Sequence, residues 1–145
     1  MIPQFFIVLL MLVPALLQAD LTKAMAEQDL EKRSRLALEN ARSAYDEMHE
    51  AYKANEMDKV AASAKEIEES VKLASESLKA TGKNPRKNPK YFKSAEITTR
   101  ALLRRVENFQ REMSFDDRAI LESARKKLLE VHDELLIGLM EGQKK

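Results

Sequence analysis

The chain has 145 residues, a formal net charge of +1 and no cysteine. A chain of this length usually forms one domain with a single core. The absence of cysteine excludes disulfides, thiol nucleophiles, thiolate metal sites and covalently attached haem. Only three glycines and four prolines interrupt a sequence rich in residues that favour helices. The composition therefore predicts an all-α fold.

An apolar run lies near the start of the sequence. The segment from Phe5 to Leu17 is 13 residues long, is broken only by Pro14, and ends just before Ala19. A helix that spans a bilayer needs about 20 apolar residues, whereas this length is typical of the hydrophobic region of a signal peptide. We therefore expect residues 1–19 to be a cleaved signal peptide and the protein to be exported, periplasmic or secreted. An uncleaved membrane anchor and a buried core helix are the alternatives.

Four stretches of the remaining chain carry apolar residues at alternating spacings of three and four. This spacing places each set on one face of a helix. It predicts helices at about 36–54, 56–81, 89–113 and 115–141, preceded by an exposed helical lead-in at 20–35. The four apolar stripes consist of Leu38, Ala41, Tyr45, Met48 and Tyr52; Met57, Val60, Ala64, Ile67, Val71, Ala74 and Leu78; Phe92, Ala95, Thr99, Leu102, Val106, Phe109 and Met113; and Leu121, Ala124, Leu128, Val131 and Leu135.

The connections between these helices carry signals for helix starts and helix stops. Asn55 followed by Asp58 resembles an N-cap with an acidic residue in the first turn. Gly82 suits the left-handed conformation that ends a helix. Asn88 is expected to cap a helix whose first residue is Pro89. The sequence thus predicts short connections, which make sequential helices antiparallel neighbours.

Ser114 and Asp117 resemble a further capping box ahead of the fourth helix. The predicted fold is an antiparallel up-down-up-down four-helix bundle with left-handed heptad packing, formed by residues 36–145. A solenoid of helical hairpins is the alternative, because the tract from Tyr45 to Ala64 loosely suggests a tetratricopeptide-like hairpin. No 34-residue repeat accompanies that tract.

No residue pattern in the sequence predicts catalysis. The chain lacks a Gly-rich phosphate loop, a Gly-x-Ser-x-Gly elbow and a His-Glu-x-x-His motif. A di-iron site in a helical bundle needs inward-facing glutamates, and the four stripes contain none. We therefore expect a protein that is not an enzyme and that has no catalytic, cofactor-binding or metal-binding residues.

A short N-terminal tract offers a haem-carrier alternative. An exported bundle with the tract Asp20–Met25 near its start and His132 in its last helix resembles the periplasmic b-type cytochromes. The resemblance implies Met25 and His132 as axial ligands. Spacing argues against this pair, because Met25 lies 30 residues before the turn at Asn55 and His132 lies 18 residues after Ser114. At 1.5 Å per residue the two heights differ by about 18 Å, so we expect His132 at the flank of the core.

The outward positions of the third predicted helix are mostly basic, and the preceding linker adds further cations. A charged outer face is what any bundle needs in water, so a solvated face is one interpretation. The other is a surface for an anionic partner: phospholipid head groups, a cell-envelope polymer or an acidic protein, with nucleic acid disfavoured by export. We call this set the basic stripe; it consists of Lys83, Arg86, Lys87, Lys90, Lys93, Arg100, Arg104 and Arg111.

The sequence as a whole favours an exported, non-enzymatic helical module that binds another macromolecule in the envelope or outside the cell. A small-molecule or haem carrier that uses the bundle interior is the alternative. The basic stripe is the only candidate binding surface that the residue pattern singles out.

Overall fold

The computed structural model describes residues 19–142. All regular structure in that range is helical, which confirms the predicted all-α class. The predicted signal peptide lies outside the described residues except for Ala19. None of the helices between residues 19 and 142 has the length and hydropathy needed to span a bilayer. The elements are α1 (Thr22–Ala26), α2 (Leu30–Lys53), α3 (Met57–Ala80), α4 (Pro89–Glu112), a 3₁₀ segment (Phe115–Leu121) and α5 (Glu122–Glu141).

The four apolar stripes form the core of the bundle. Every stripe residue is buried except Tyr52 and Met57, which are partly buried and pack against the core. Thr99, the polar member of the third stripe, is fully buried with the apolar residues around it. The 3.5-residue periodicity therefore identified the inward face of α2, α3, α4 and α5 correctly.

The helices alternate in direction, but they are not all arranged as sequential neighbours. α2 packs on α3 and α4 packs on α5, whereas α3 and α4 touch little and lie diagonally across the bundle. On the α3–α5 side, the Ser123 hydroxyl donates to Glu68 at 2.8 Å and Lys79 pairs with Glu134 at 2.7 Å, so these two helices run parallel. This corrects the expectation that each helix packs beside the next. Residues 81–88 are long enough to cross the end of the bundle.

Small residues dominate the contact between α2 and α3, the most extensive in the bundle. Ala37, Ala41 and Ala44 of α2 are fully buried, and short side chains let two helix backbones approach closely. The Asn40 amide donates to the Glu66 carboxylate at 2.8 Å and to the Ser70 hydroxyl at 2.9 Å. The close approach of the helices removes these polar groups from water, and the hydrogen bonds give them partners.

The lead-in differs from its predicted form. α2 begins at Leu30 rather than near residue 36, because the Asp29 carboxylate accepts hydrogen bonds from the backbone N–H groups of Glu31 and Lys32. α1 packs against α2, and Ala24 at its centre is only 1% exposed. Residues 20–35 are therefore helical in large part, but they also contribute to the core.

Two predicted caps take different roles. Asn55 has a φ of +57°, and the N–H groups of Asn55 and Glu56 donate back to the carbonyls of Tyr52 and Ala51. Asn55 is therefore the left-handed residue that ends α2 and not the cap of α3, which begins after Glu56. Asparagine tolerates this conformation better than other non-glycine residues because its side chain bonds locally. Gly82 does end α3 with a φ of +68°.

The start of the last helix is also modified. The Ser114 hydroxyl donates to the Asp117 carboxylate at 2.6 Å, and the Tyr52 hydroxyl donates to the same carboxylate at 3.2 Å. This side-chain network replaces the predicted capping box, and the chain forms the 3₁₀ segment before α5 begins. Asn88 precedes α4 as predicted, but its side chain donates to the Asn84 carbonyl instead of capping the helix.

Candidate functional site

All eight residues of the basic stripe are exposed. Within the described part of the chain, Lys93 and Arg104 have no carboxylate partner, whereas the Arg100 guanidinium lies 3.4 Å from the Glu96 carboxylate. Arg111 donates to the Asn108 side chain. The stripe therefore keeps cations that are open to an external anion.

At the linker end of the stripe, cations are partly compensated. Lys83 pairs with Glu31 at the start of α2, and this carboxylate raises the pKa of the Lys83 ammonium. The Lys90 ammonium lies 5.3 Å from the centre of the Tyr91 ring, which is 37% exposed. This end of the stripe combines charge with an accessible aromatic surface.

A groove between α2 and α4 adjoins the basic stripe at Lys90. It has a volume of about 520 Å³, and Leu38 and Ala95 line it together with charged residues of both helices. Arg35 and Arg42 of α2 lie in this groove opposite Lys90 of α4. Neither arginine pairs with a carboxylate among residues 19–142. Asp29, Glu31 and Glu39 also line the groove, so the cations of α2 adjoin the stripe within a groove of mixed charge.

The sequence pattern did not identify Arg35 and Arg42 as members of this surface. They lie on a different helix from the stripe, and they precede Lys90 by 55 and 48 residues in the chain. Only the parallel packing of α2 beside α4, seen in the 3.1 Å ion pair between Asp46 and Arg105, brings them there. The sequence places both arginines on the outward face of an amphipathic helix. That pattern does not show which other helix lies beside them.

On its other side, α4 is joined to α5 by a buried polar pair. The Nε2 atom of His132 lies 3.1 Å from the Glu96 carboxylate, and Glu96 is 7% exposed. The other ring nitrogen, Nδ1, lies 3.2 Å from the Asp133 carboxylate. His132 thus lies at the flank of the core, as expected. Met25 is 63% exposed on α1, which packs against α2 and not against α5, so the structure does not bring Met25 and His132 together.

His49 belongs to an aromatic cluster between α2 and α4. Its ring centre lies 5.1 Å from that of Phe109, and Tyr52 meets the same Phe109 ring edge-on at 5.3 Å. The Arg105 guanidinium lies 4.2 Å from the centre of the Tyr45 ring, and burial raises the pKa of the Tyr45 hydroxyl. These contacts stabilise the α2–α4 interface.

Between residues 19 and 142 no group of three or more histidine, aspartate or glutamate side chains is placed to hold a metal ion. Comparison of the chain with protein-family models, curated proteins and solved structures finds no match.

Proposed function

We propose that the protein is an exported, non-catalytic binding module that holds an anionic partner against the basic stripe and the adjoining α2–α4 groove. The observation that carries this proposal is the exposure of all eight stripe residues, with Lys93 and Arg104 left without a carboxylate partner in the described chain. Packing requires those outward positions only to be polar. Cations on one side of one helix therefore exceed what the fold needs.

The length of the surface supports an extended partner. The stripe on α4 runs from Lys90 to Arg111, which corresponds to about 32 Å of helix. Arg35 and Arg42 widen it at the α2 edge. Exposed cations of this kind attract anions over about one Debye length, near 8 Å at physiological ionic strength, so binding should weaken as salt is added.

Export is part of the same proposal and rests on residues 1–19, whose apolar run has the length of a signal sequence. Asp20 is suited to be the first residue of a mature chain. Its carboxylate accepts hydrogen bonds from the backbone N–H of Thr22 at 2.7 Å and from the Thr22 hydroxyl at 2.6 Å. Cleavage before Asp20 would keep these hydrogen bonds at the start of α1.

Retention on immobilised heparin, a soluble polyanion, tests the binding proposal. The full chain should be retained at low salt and elute in a salt gradient. A variant with Lys93, Arg104 and Arg111 replaced by glutamate should elute much earlier, because it reverses three charges on the stripe. Its helical circular dichroism should equal that of wild type, since none of the three side chains is buried.

A matched variant controls for net charge. Lys59, Lys65 and Lys72 are exposed on α3, and each pairs with a glutamate of the same helix region. Their replacement by glutamate changes the formal charge by the same amount on a different face, and it should leave elution close to that of wild type. Equal shifts for both triple variants would show that only net charge governs retention and would contradict the proposal.

A further inference from the structure

α5 exposes apolar residues that a solvated helix does not need. Leu129 is 40% exposed, Leu136 is 39% exposed and Met140 is 68% exposed. Their spacings of seven and four place them on one face of the helix. Scattered exposed apolar residues are ordinary, but a row on one face marks a surface that meets another apolar phase.

The contact between Glu96 and His132 fixes where this row lies. Lys93 and Arg100 lie three residues before and four residues after Glu96, so they flank it on the surface of α4. Leu129 and Leu136 flank His132 in the same way on α5.

α4 and α5 are antiparallel, since the Gln110 amide of α4 also meets Glu122 of α5 at 3.1 Å. Arg100 is therefore adjacent to Leu129, and Lys93 is adjacent to Leu136. A cationic row and an apolar row run side by side on the outer face of the α4–α5 pair.

Further exposed apolar residues extend this face. Ile97, between Lys93 and Arg100 in the chain, is 47% exposed. Phe115, just beyond the end of α4, is 82% exposed. The Arg118 guanidinium lies 5.8 Å from the centre of the Phe115 ring and donates to the Arg111 carbonyl at 3.1 Å, which places Phe115 at the far end of the stripe.

We propose that the outer face of α4 and α5 binds the surface of a bilayer rich in anionic phospholipid. This inference rests on the proposed function, since the same basic stripe supplies the charge. The cations would meet the phosphate groups, while Ile97, Leu129, Leu136 and Met140 would enter the boundary between head groups and acyl chains. Basic and apolar residues on one surface are typical of interfacial binding. A soluble polyanion would account for the cations and not for the apolar row.

Among the exposed carboxylates of α5, Asp133 is the one next to His132, whose Nδ1 atom lies 3.2 Å from it. The negative charge of Asp133 repels the negative charge of lipid phosphates. The association should therefore be reversible and sensitive to salt.

Co-sedimentation with vesicles tests the inference. The full chain is mixed with vesicles of phosphatidylcholine alone or of equal parts phosphatidylcholine and phosphatidylglycerol. The run Phe5–Leu17 carries no charge and is common to every sample, so the quantity measured is the excess binding to the anionic vesicles. Wild type should show a clear excess that disappears at high salt.

Replacement of Ile97, Leu129 and Leu136 by serine should lower the apparent affinity for anionic vesicles by about tenfold, because apolar area that would leave water is lost. The same variant should keep its retention on heparin and its helical circular dichroism. Met25→Ser removes an exposed apolar residue from α1, on another side of the bundle, and should bind vesicles as wild type does.

The outcomes separate the two proposals. Retention on heparin without excess binding to anionic vesicles would overturn the lipid inference and leave the proposed function standing. Failure to bind either would overturn both. Equal vesicle binding by wild type and the serine variant would show that charge alone drives the association. A dimer of the wild type that forms without lipid, and that the serine substitutions dissociate, would show that a second copy covers the apolar row. Either result would overturn the inference.

Discussion

Individual polar side chains decide where the helices of this bundle begin and end. Asp29 starts α2 six residues earlier than the apolar stripe suggests, and Asn55 ends it with a left-handed φ of +57°. Among residues 19–142 the buried side-chain nitrogen and oxygen atoms are paired with one exception. The hydroxyl of Thr99 has no partner among the described residues, and such a group costs about 1–3 kcal/mol when it is desolvated.

Glu122 is the carboxyl group whose titration the structure alters most clearly. It accepts hydrogen bonds from Arg125 and from Gln110, which lower its pKa from 4.5 to about 2. The unfolded chain takes up this proton near pH 4.5, whereas the folded protein takes it up only near pH 2. The stabilisation from Glu122 is therefore fully present above about pH 4.5 and is lost as the pH falls through about 2.

Glu122→Gln should make stability less dependent on pH in this window. The free energy of unfolding, measured by urea denaturation, should fall less between pH 5 and pH 2 for the variant than for wild type, because the variant has no proton to take up there. Arg125→Gln removes the main cause of the lowered pKa and should flatten the profile in the same sense. Parallel profiles for all three proteins would contradict this assignment.

At the level of the helix, burial separates the positions of α3 and α4 into two classes. Val71 is 0% exposed and Leu102 is 1% exposed, whereas Arg104, two residues from Leu102, lies on the outer face. Val71→Asp and Leu102→Asp should each lower stability by several kcal/mol, because each places an unpaired charge in the core. A domain of this size has a total stability on the order of 10 kcal/mol.

Arg104→Asp is the matched control for these core substitutions. The same aspartate at an exposed position should change the free energy of unfolding by about 0.5 kcal/mol or less. Thermal denaturation followed by circular dichroism measures all three variants under one condition. Similar melting temperatures for Leu102→Asp and Arg104→Asp would show that the inward face of α4 is assigned incorrectly.

For the whole molecule, the diagonal placement of α3 and α4 determines which outward helix faces lie next to each other. It makes α2 and α4 parallel neighbours, which joins Arg35 and Arg42 to the basic stripe. It also leaves the outer side of the α4–α5 pair uncovered by the other described helices. A bundle in which α4 packed beside α3 would separate these cations and form a different face.

Cleavage of the predicted signal peptide gives a prediction about the localisation of the protein. The intact mass of protein recovered from the exported fraction of expressing cells should correspond to a chain that begins at Asp20. Ala19→Lys should block cleavage, because the site needs a small residue before the cut, and the protein should stay with the membrane. Recovery of wild-type protein that still begins at Met1 and is embedded in the membrane would favour the anchor alternative.

The sequence by itself determined the fold class and the inward faces of the helices. Both follow from the 3.5-residue period of the apolar residues, which is a local property of the chain. It also located the breaks at Gly82 and Pro89, since these residues restrict the backbone whatever surrounds them. The exposed positions of the basic stripe on α4 could be identified for the same reason, because the outward face of a helix is the complement of its inward face.

Only the tertiary structure decided which outward faces are neighbours. An amphipathic pattern specifies that a helix buries one side, but it does not specify the partner, and an eight-residue linker allows α4 to lie beside α3 or across from it. The position of α4 in the bundle determines two surfaces. One is the groove that contains Arg35 and Arg42, and the other is the apolar row that begins at Leu129 beside Arg100. Both surfaces bring together residues that are far apart in the chain. Helix packing produces this proximity, and a local periodicity in the sequence does not predict it.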